Sequence, residues 1–239
     1  MNAHPPSPAP HSPPSGLSPE ALVKVCIVFL AVCAAAVAAC LTGAFSSEGY
    51  RAFPEIENTY RLLMAAELFF LLFLWPLYCG TPGAVSAPAL GTLLVVSVPL
   101  VLIAARVSNV PAYMVARTHL LLLTVAAASA AACKLILRVG PRSRRWYYPL
   151  AAGLAGGLPL VQFVLLDISG GAGARWLSCA SPFWAMELAL LPPGEVPRAY
   201  WPGALLVFAG VAAVLRITAE RGRAREDGKR GGREEGMKG

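Results

Sequence analysis

Long apolar stretches separated by short polar segments dominate this chain. Six of them cover residues 22–45, 60–79, 87–105, 112–137, 146–168 and 200–217. At 1.5 Å per residue, about 20 helical residues cross a hydrocarbon core of about 30 Å. Barrel strands would instead alternate apolar and polar residues over about 10 positions. The pattern therefore predicts an all-α, polytopic integral membrane protein with six transmembrane helices.

A further apolar stretch, 181–191, is too short to span a membrane. Its second residue, Pro182, suits the first turn of a helix. We therefore expect a short helix before the last span that either lies in the outer interface or enters the membrane as a re-entrant helix. Pro182, Phe183, Trp184 and Glu187 could form an outer gate helix there, and an ordinary interfacial anchor is the alternative.

The two ends of the chain differ from its middle. Residues 1–20 are rich in proline and serine, which predicts a disordered N-terminal tail. Residues 21–218 hold the six predicted spans, and residues 219–239 form a basic C-terminal tail. The sequence thus predicts one transmembrane domain between two polar ends.

Composition excludes the common soluble classes. Hydrophobic residues make up 56% of the chain and charged residues 14%, and the mean hydropathy is +0.60. A soluble globular domain carries more charge than this, and a disordered chain is less hydrophobic. The lipid bilayer is therefore the expected environment.

The position of the basic residues matters more than the net charge of +7. With six spans, Lys and Arg divide 14 to 6 between the two sides, and the richer side holds both termini and the segments 80–86 and 138–145. Because cytoplasmic loops collect basic residues, both termini are predicted in the cytoplasm, and no nucleic-acid partner is expected. The alanine- and arginine-rich composition is typical of a high-GC bacterium, which favours a bacterial cytoplasmic (inner) membrane.

Enzyme motifs do not occur in the sequence. It contains no phosphate-binding loop, zinc-protease motif or nucleophile elbow, and His119 is the only histidine in a predicted span. We therefore predict no catalytic residues, no metal site and no cofactor, and a protein that is not an enzyme. Cys26, Cys33 and Cys40 share one face of the first helix, where a contact between helices is favoured over a metal or redox stripe.

Three ionisable residues in the spans are candidates for a pathway or for intramembrane pairing, because charge is expensive in hydrocarbon. These are Glu67, Arg106 and Asp167. Glu67 lies about two turns into the second span, so it should face the bundle interior, with Arg61, Arg106 or Arg117 as available cations. For Arg106 and Asp167, which lie near outer ends, a snorkelling or interfacial role is the alternative.

Small residues in the fifth span predict close packing. Gly153 and Gly157 form a GxxxG pair, and glycines at this spacing let two helix backbones approach each other. The pair therefore predicts a tight bundle and allows a dimer, and we expect a homo- or hetero-oligomer with other membrane subunits.

Three stretches resemble the permease subunits of ABC-2 type transporters. Residues 60–76, with Glu67 and the Trp75-Pro76 pair, resemble the second helix of that family, and residues 93–102, with Pro99, resemble the third. Residues 180–185, followed by a last helix and a basic tail, resemble its C-terminal end. The resemblance is a loose pattern over about residues 22–220.

The resemblance implies a function that needs partners. It implies a permease subunit energised by a separate ATPase chain, with a second permease copy and short helices that cap the outer side before the last span. The apolar lining of such a bundle suggests a lipophilic substrate. The alternative is a non-transporting integral membrane subunit that anchors or assembles a larger complex.

Overall fold

The computed structural model describes residues 19–44, 58–78, 87–139, 144–169, 177–191 and 200–235. These ranges are almost entirely helical and contain no strand. The helices, numbered in chain order, are α1 (Pro19–Ala44), α2 (Thr59–Phe69, a π-helical turn Phe70–Leu74, and Trp75–Tyr78), α3 (Ala87–Val107), α4 (Ala112–Val139), α5 (Arg144–Ala152, a π-helical turn Gly153–Gly157, and Leu158–Ser169), α6 (Leu177–Ala180), α7 (Pro182–Leu190) and α8 (Tyr200–Glu235).

In the part of the chain that the structure describes, five helices are long and apolar enough to cross a membrane. Their spans are Pro19–Leu41, Ala89–Val107, Ala112–Ile136, Arg145–Leu165 and Tyr200–Gly222. The prediction of an all-α, membrane-embedded protein is therefore confirmed. The predicted second span, 60–79, forms α2 but is not among these five.

Two predicted boundaries, the end of the last helix and the end of the N-terminal tail, can be compared with the structure. The last span was predicted to end near residue 217, but its helix, α8, continues through the basic segment to Glu235. Of the predicted N-terminal tail, only Pro19 and Glu20 are described, and they open α1. Residues 1–18 lie outside the described residues.

α2 forms the centre of the bundle. It packs against α1, α3, α4 and α7, and its buried side chains include Tyr60, Leu63, Met64, Leu68, Phe70 and Trp75. The ring of Phe70 lies 4.8 Å from that of Phe29 on α1, measured between centroids. A helix enclosed on several sides needs less hydrophobicity than one that faces lipid, because protein neighbours surround its polar residues.

Two helices widen into a π-helical turn shortly before a proline. In α2 the turn Phe70–Leu74 precedes Pro76, and in α5 the turn Gly153–Gly157 precedes Pro159. Proline has no N–H, and the π turn shifts the hydrogen-bond ladder by one residue, so the carbonyls four and five residues before the proline both lack a helical donor. Such a break is stable inside a membrane only if another group satisfies those carbonyls.

In α2, hydroxyl groups from two other helices replace the missing donors. Ser129 of α4 donates to the Leu71 carbonyl at 3.0 Å, and Tyr147 of α5 donates to the Leu72 carbonyl at 2.8 Å. The two hydroxyl oxygens lie 3.1 Å apart. These bonds tie α2, α4 and α5 together at the π turn.

A short hairpin joins α3 to α4. Asn109 adopts a left-handed conformation with φ of 52°, which asparagine tolerates better than most residues. The N–H of Val110 bonds to the Ala105 carbonyl at 2.8 Å, and the N–H of Asn109 bonds to the Arg106 carbonyl at 3.2 Å. This Schellman arrangement satisfies the end of α3 before Pro111 leads into α4.

The fifth span lies at the edge of the bundle. Over an 18-residue window of this span only 17% of the residues are buried, against 44% over the window in α4. A Cβ atom added at Gly153 or Gly157 would meet nothing within 4 Å. Among the described residues the GxxxG pair therefore makes no close helix contact, which corrects the expectation that it tightens the bundle.

Candidate functional site

The short helix α7, predicted as an interfacial or re-entrant helix, packs one face against the bundle. It lies against α2, α4, α8 and the π turn of α5. One face of α7 is buried, with Pro182, Ala185, Met186, Ala189 and Leu190. An ordinary interfacial anchor would bury its apolar face in lipid, whereas this face is covered by protein.

The two ends of α7 mark its path. At its start, the hydroxyl of Ser181 donates to the Ala155 carbonyl at 3.3 Å, which is one of the carbonyls that Pro159 leaves without a helical donor. At its other end, Leu190 lines a cavity of about 310 Å³ with Asn109 of the α3–α4 hairpin. α7 therefore runs from near the middle of α5 to the hairpin end of the bundle.

An ion pair connects α7 to the first turn of α2. The Arg61 guanidinium lies 4.0 Å from the Glu187 carboxylate, and both side chains are about half exposed. Arg61, Phe183, Trp184 and Glu187 line a pocket of about 180 Å³, which we call the Arg61 pocket. At this exposure the pair is worth less than about 1 kcal/mol, so it can open and close readily.

The predicted gate residues thus meet at one place, with one exception. Phe183, Trp184 and Glu187 line the Arg61 pocket, while Pro182 is buried at the start of α7. Sequence reasoning named Arg61 only as a cation for Glu67. Its pairing with Glu187 depends on how α7 folds back against α2, and no local pattern predicts that contact.

Glu67 lies inside the bundle, on the face of α2 away from the Arg61 pocket. Its side chain has no exposed surface, and neither carboxyl oxygen has a hydrogen-bond partner. Because Ala65 lines the pocket and lies two residues away, Glu67 points to roughly the opposite side of the helix. The structure therefore does not bring Glu67 together with the gate residues.

Polar groups from three helices surround Glu67 without satisfying it. Cys33 of α1 and Tyr60 of α2 lie close enough to interact electrostatically with its carboxyl group. Ser97 of α3 is also near, but its single hydroxyl hydrogen is donated to the Leu94 carbonyl at 3.0 Å. A buried carboxyl group without a partner is costly, and this marks a position suited to binding a proton or a cation.

Tyr60 has a fixed hydrogen-bond direction. Thr118 donates to the Met114 and Val115 carbonyls, each at 3.0 Å, so its oxygen accepts from the Tyr60 hydroxyl at 2.6 Å. The Tyr60 N–H bonds to the Ser108 hydroxyl at 3.0 Å, which caps the start of α2. These bonds hold the Glu67 face of α2 against the α3–α4 hairpin.

The other predicted ionisable residues lie elsewhere. Arg106 is exposed in the last turn of α3. Arg117, named as a possible cation for Glu67, lies 5.1 Å above the Trp201 ring of α8. Asp167 belongs to the last part of α5, but its side chain lies outside the described residues.

The three cysteines on one face of α1 contribute one buried thiol to the core. Cys33 is fully buried, Cys26 and Cys40 are partly buried, and all three are free. This placement supports the expected contact between helices. In the described part of the chain, no three His, Cys, Asp or Glu side chains lie close enough to hold a metal ion.

Comparison of the chain with known proteins found no match. No protein-family model, no curated protein and no solved structure matches the chain. The arguments about function therefore rest on the geometry of α7, Glu67 and the cavities.

Proposed function

We propose that this chain is the membrane-spanning permease subunit of an ABC-2-like transporter, energised by a separate ATPase chain. The observation that carries the proposal is α7, a half-length helix set among α2, α4 and α8 directly before the last span. The family resemblance places short capping helices at this point of the chain. The Arg61–Glu187 pair is then a latch that holds α7 against α2 at the outer end.

The proposal counts α2 as the sixth span. Its 20 residues, Thr59–Tyr78, reach about 30 Å. Its charges are accommodated differently from those of a helix that faces lipid: Glu67 is enclosed by protein, and Arg61 lies in the first turn. With six spans both termini lie on one side, and the 14-to-6 division of Lys and Arg supports the cytoplasmic side of a bacterial inner membrane.

Membrane topology gives the first test. Fusing green fluorescent protein or an exported alkaline phosphatase to the C-terminus distinguishes the two sides, because each reporter is active on only one of them. Fluorescence without phosphatase activity is expected. Phosphatase activity at this end would contradict the proposed orientation.

The central test is purification of the intact complex. The full chain is solubilised in a mild detergent and recovered through an affinity tag, and its partners are identified by mass spectrometry. We expect a phosphate-loop ATPase and a second copy of the permease. Recovery of a stable complex that contains other membrane subunits and no ATPase would favour the alternative, a non-transporting subunit that assembles a larger complex.

Glu67 allows a sharper test of the pathway. Replacing this buried, unpartnered carboxyl group with an apolar side chain of similar size, Glu67→Met, should stabilise the bundle by about 1–3 kcal/mol. If Glu67 serves the pathway, complexes that contain Glu67→Met or Glu67→Gln should still assemble, but the stimulated ATPase activity of these complexes should be lost. Stability gained without loss of activity would remove Glu67 from the site.

The matched control is Glu187→Gln on α7. It removes the charge partner of Arg61 from a half-exposed pair, so its effect on stability should stay below about 1 kcal/mol. A gate role predicts altered opening, seen as a raised basal ATPase rate of the complex. An unchanged rate would leave the pair without a gating role.

A further inference from the structure

A long, narrow cavity separates the fifth span from the last one. Its volume is about 410 Å³. Its floor is α4, from Val125 to Ile136, and its walls are α5 on one side and α8 on the other. Pro182 at the start of α7 contributes to its lining. The cavity is separate from the Arg61 pocket, because the two share no lining residue. Glu67 does not line the cavity either.

The dimensions of the cavity restrict what can occupy it. Along α4 it extends over about three helical turns, or roughly 17 Å. A cavity of this volume spread over that length is long and thin, and a flexible hydrocarbon chain can lie along it.

The lining offers an occupant almost no hydrogen bonds. The two hydroxyl groups that line it, those of Ser129 and Tyr147, donate their hydrogens to the Leu71 and Leu72 carbonyls of α2. Among the described residues, no buried polar side-chain atom that lacks a partner belongs to the lining. An apolar occupant therefore leaves no polar group unsatisfied.

The mouth of the cavity opens at the surface of the apolar spans. Leu150 and Leu154 on α5 are 61% and 42% exposed, and Val211 on α8 is 44% exposed. These residues belong to two of the helices that are apolar enough to cross a membrane, so their exposed faces meet the hydrocarbon core. Lipid chains reach such an opening directly from the bilayer.

We propose that this cavity binds one hydrocarbon chain of a membrane lipid, lying between α5 and α8 against the small residues of α4. Ala128, Ser129 and Ala132 form the contact surface for the chain. Pro182 lies at the end of α7 where a bound chain would press against that helix. The site goes beyond the proposed transport function, and it would serve a non-transporting subunit equally well.

Photo-cross-linking tests the site. The purified full chain is reconstituted with phosphatidylcholine that carries a diazirine on one acyl chain, and labelled residues are mapped by mass spectrometry after irradiation. Labels on Ala128, Ser129 or Ala132 are expected. Labels confined to fully lipid-facing side chains, such as Phe163 and Leu206, would overturn the proposal.

A matched pair of variants on α4 checks that the labels report the cavity. Ala128→Leu places three more carbon atoms inside it, whereas Ala127 is exposed and does not line it. Labelling of the floor should fall about tenfold in Ala128→Leu, as expected when two methylene groups of the bound chain lose their burial. It should not change in Ala127→Leu, and equal labelling in both variants would contradict the proposal.

A second pair on α8 covers the case in which Ala128→Leu does not fold. Val211→Phe places a ring at the mouth of the cavity, and Val214→Phe places it on an exposed position that does not line the cavity. Only Val211→Phe should reduce labelling of the floor. Neither experiment needs an ATPase, so loss of the lipid site and failure of the transporter proposal are observed separately.

Discussion

The two π turns that the structure describes have similar positions relative to a proline and opposite surroundings. Each comes just before a proline, Pro76 in α2 and Pro159 in α5, which removes a helical donor. In α2 the turn is built from large apolar residues, of which Phe70, Leu71 and Leu72 are buried. In α5 the turn is glycine-rich and has no buried residue.

Their freed carbonyls are also satisfied to different extents. The turn in α2 receives two hydrogen bonds, at 2.8 and 3.0 Å, from hydroxyl groups that also contact each other. From the described residues, the turn in α5 receives one bond of 3.3 Å, which Ser181 donates. A π turn before a proline thus becomes a fixed joint where packing surrounds it, and a looser joint where packing does not surround it. The looser one adjoins the start of α7.

The largest effect is expected from a substitution that disrupts the packing of the α2 turn. Phe70→Ala removes a buried ring that contacts Phe29, and the cavity left behind should lower the free energy of unfolding by about 3 kcal/mol or more. The control is Phe163→Ala in α5, where the ring is 73% exposed and the change should stay below about 0.5 kcal/mol. Unfolding in mixed micelles at rising fractions of sodium dodecyl sulfate measures both, and similar values would erase the contrast between the joints.

A smaller effect is expected when the hydroxyl group that bonds to each of the two joints is removed. Tyr147→Phe leaves the Leu72 carbonyl without its donor inside the bundle, which should cost about 1–2 kcal/mol. Ser181→Ala removes the single longer bond to Ala155 and should cost about 0.6 kcal/mol. The same unfolding measurement ranks them, and a larger cost for Ser181→Ala would show that the α5 joint is the more tightly held.

The last expected effect is small and opposite in sign, and it concerns the glycines of the α5 turn. A methyl group added at Gly156 meets nothing within 4 Å, so Gly156→Ala should stabilise the helix by about 0.5–1 kcal/mol. Gly210→Ala in α8 is the matched control, since its added Cβ also meets nothing.

An opposite result at Gly156 would revise the comparison. If Gly156→Ala lowers stability or disrupts a dimer while Gly210→Ala does not, the glycine face of α5 packs against a second subunit. Size-exclusion chromatography coupled to light scattering, run with both variants, separates this outcome from a purely local change.

Sequence reasoning predicted the elements better than their contacts. Runs of apolar residues located every long helix, and Pro182 located the start of α7, because these features act locally. The GxxxG pair was wrongly expected to pack within the bundle, since spacing does not indicate what stands opposite a helix face. Likewise, nothing near Arg61 in the sequence indicates that its partner is Glu187, more than a hundred residues away.

By itself the sequence determined that this protein is helical and embedded in a membrane. That conclusion needs only the length and hydrophobicity of each segment, because a bilayer requires every span to satisfy its own backbone. Only the tertiary structure decided which helix is enclosed, which proline turn is fixed and where a cavity remains. Those properties depend on residues far apart in the chain, such as Ser129 and Tyr147 meeting the carbonyls of α2.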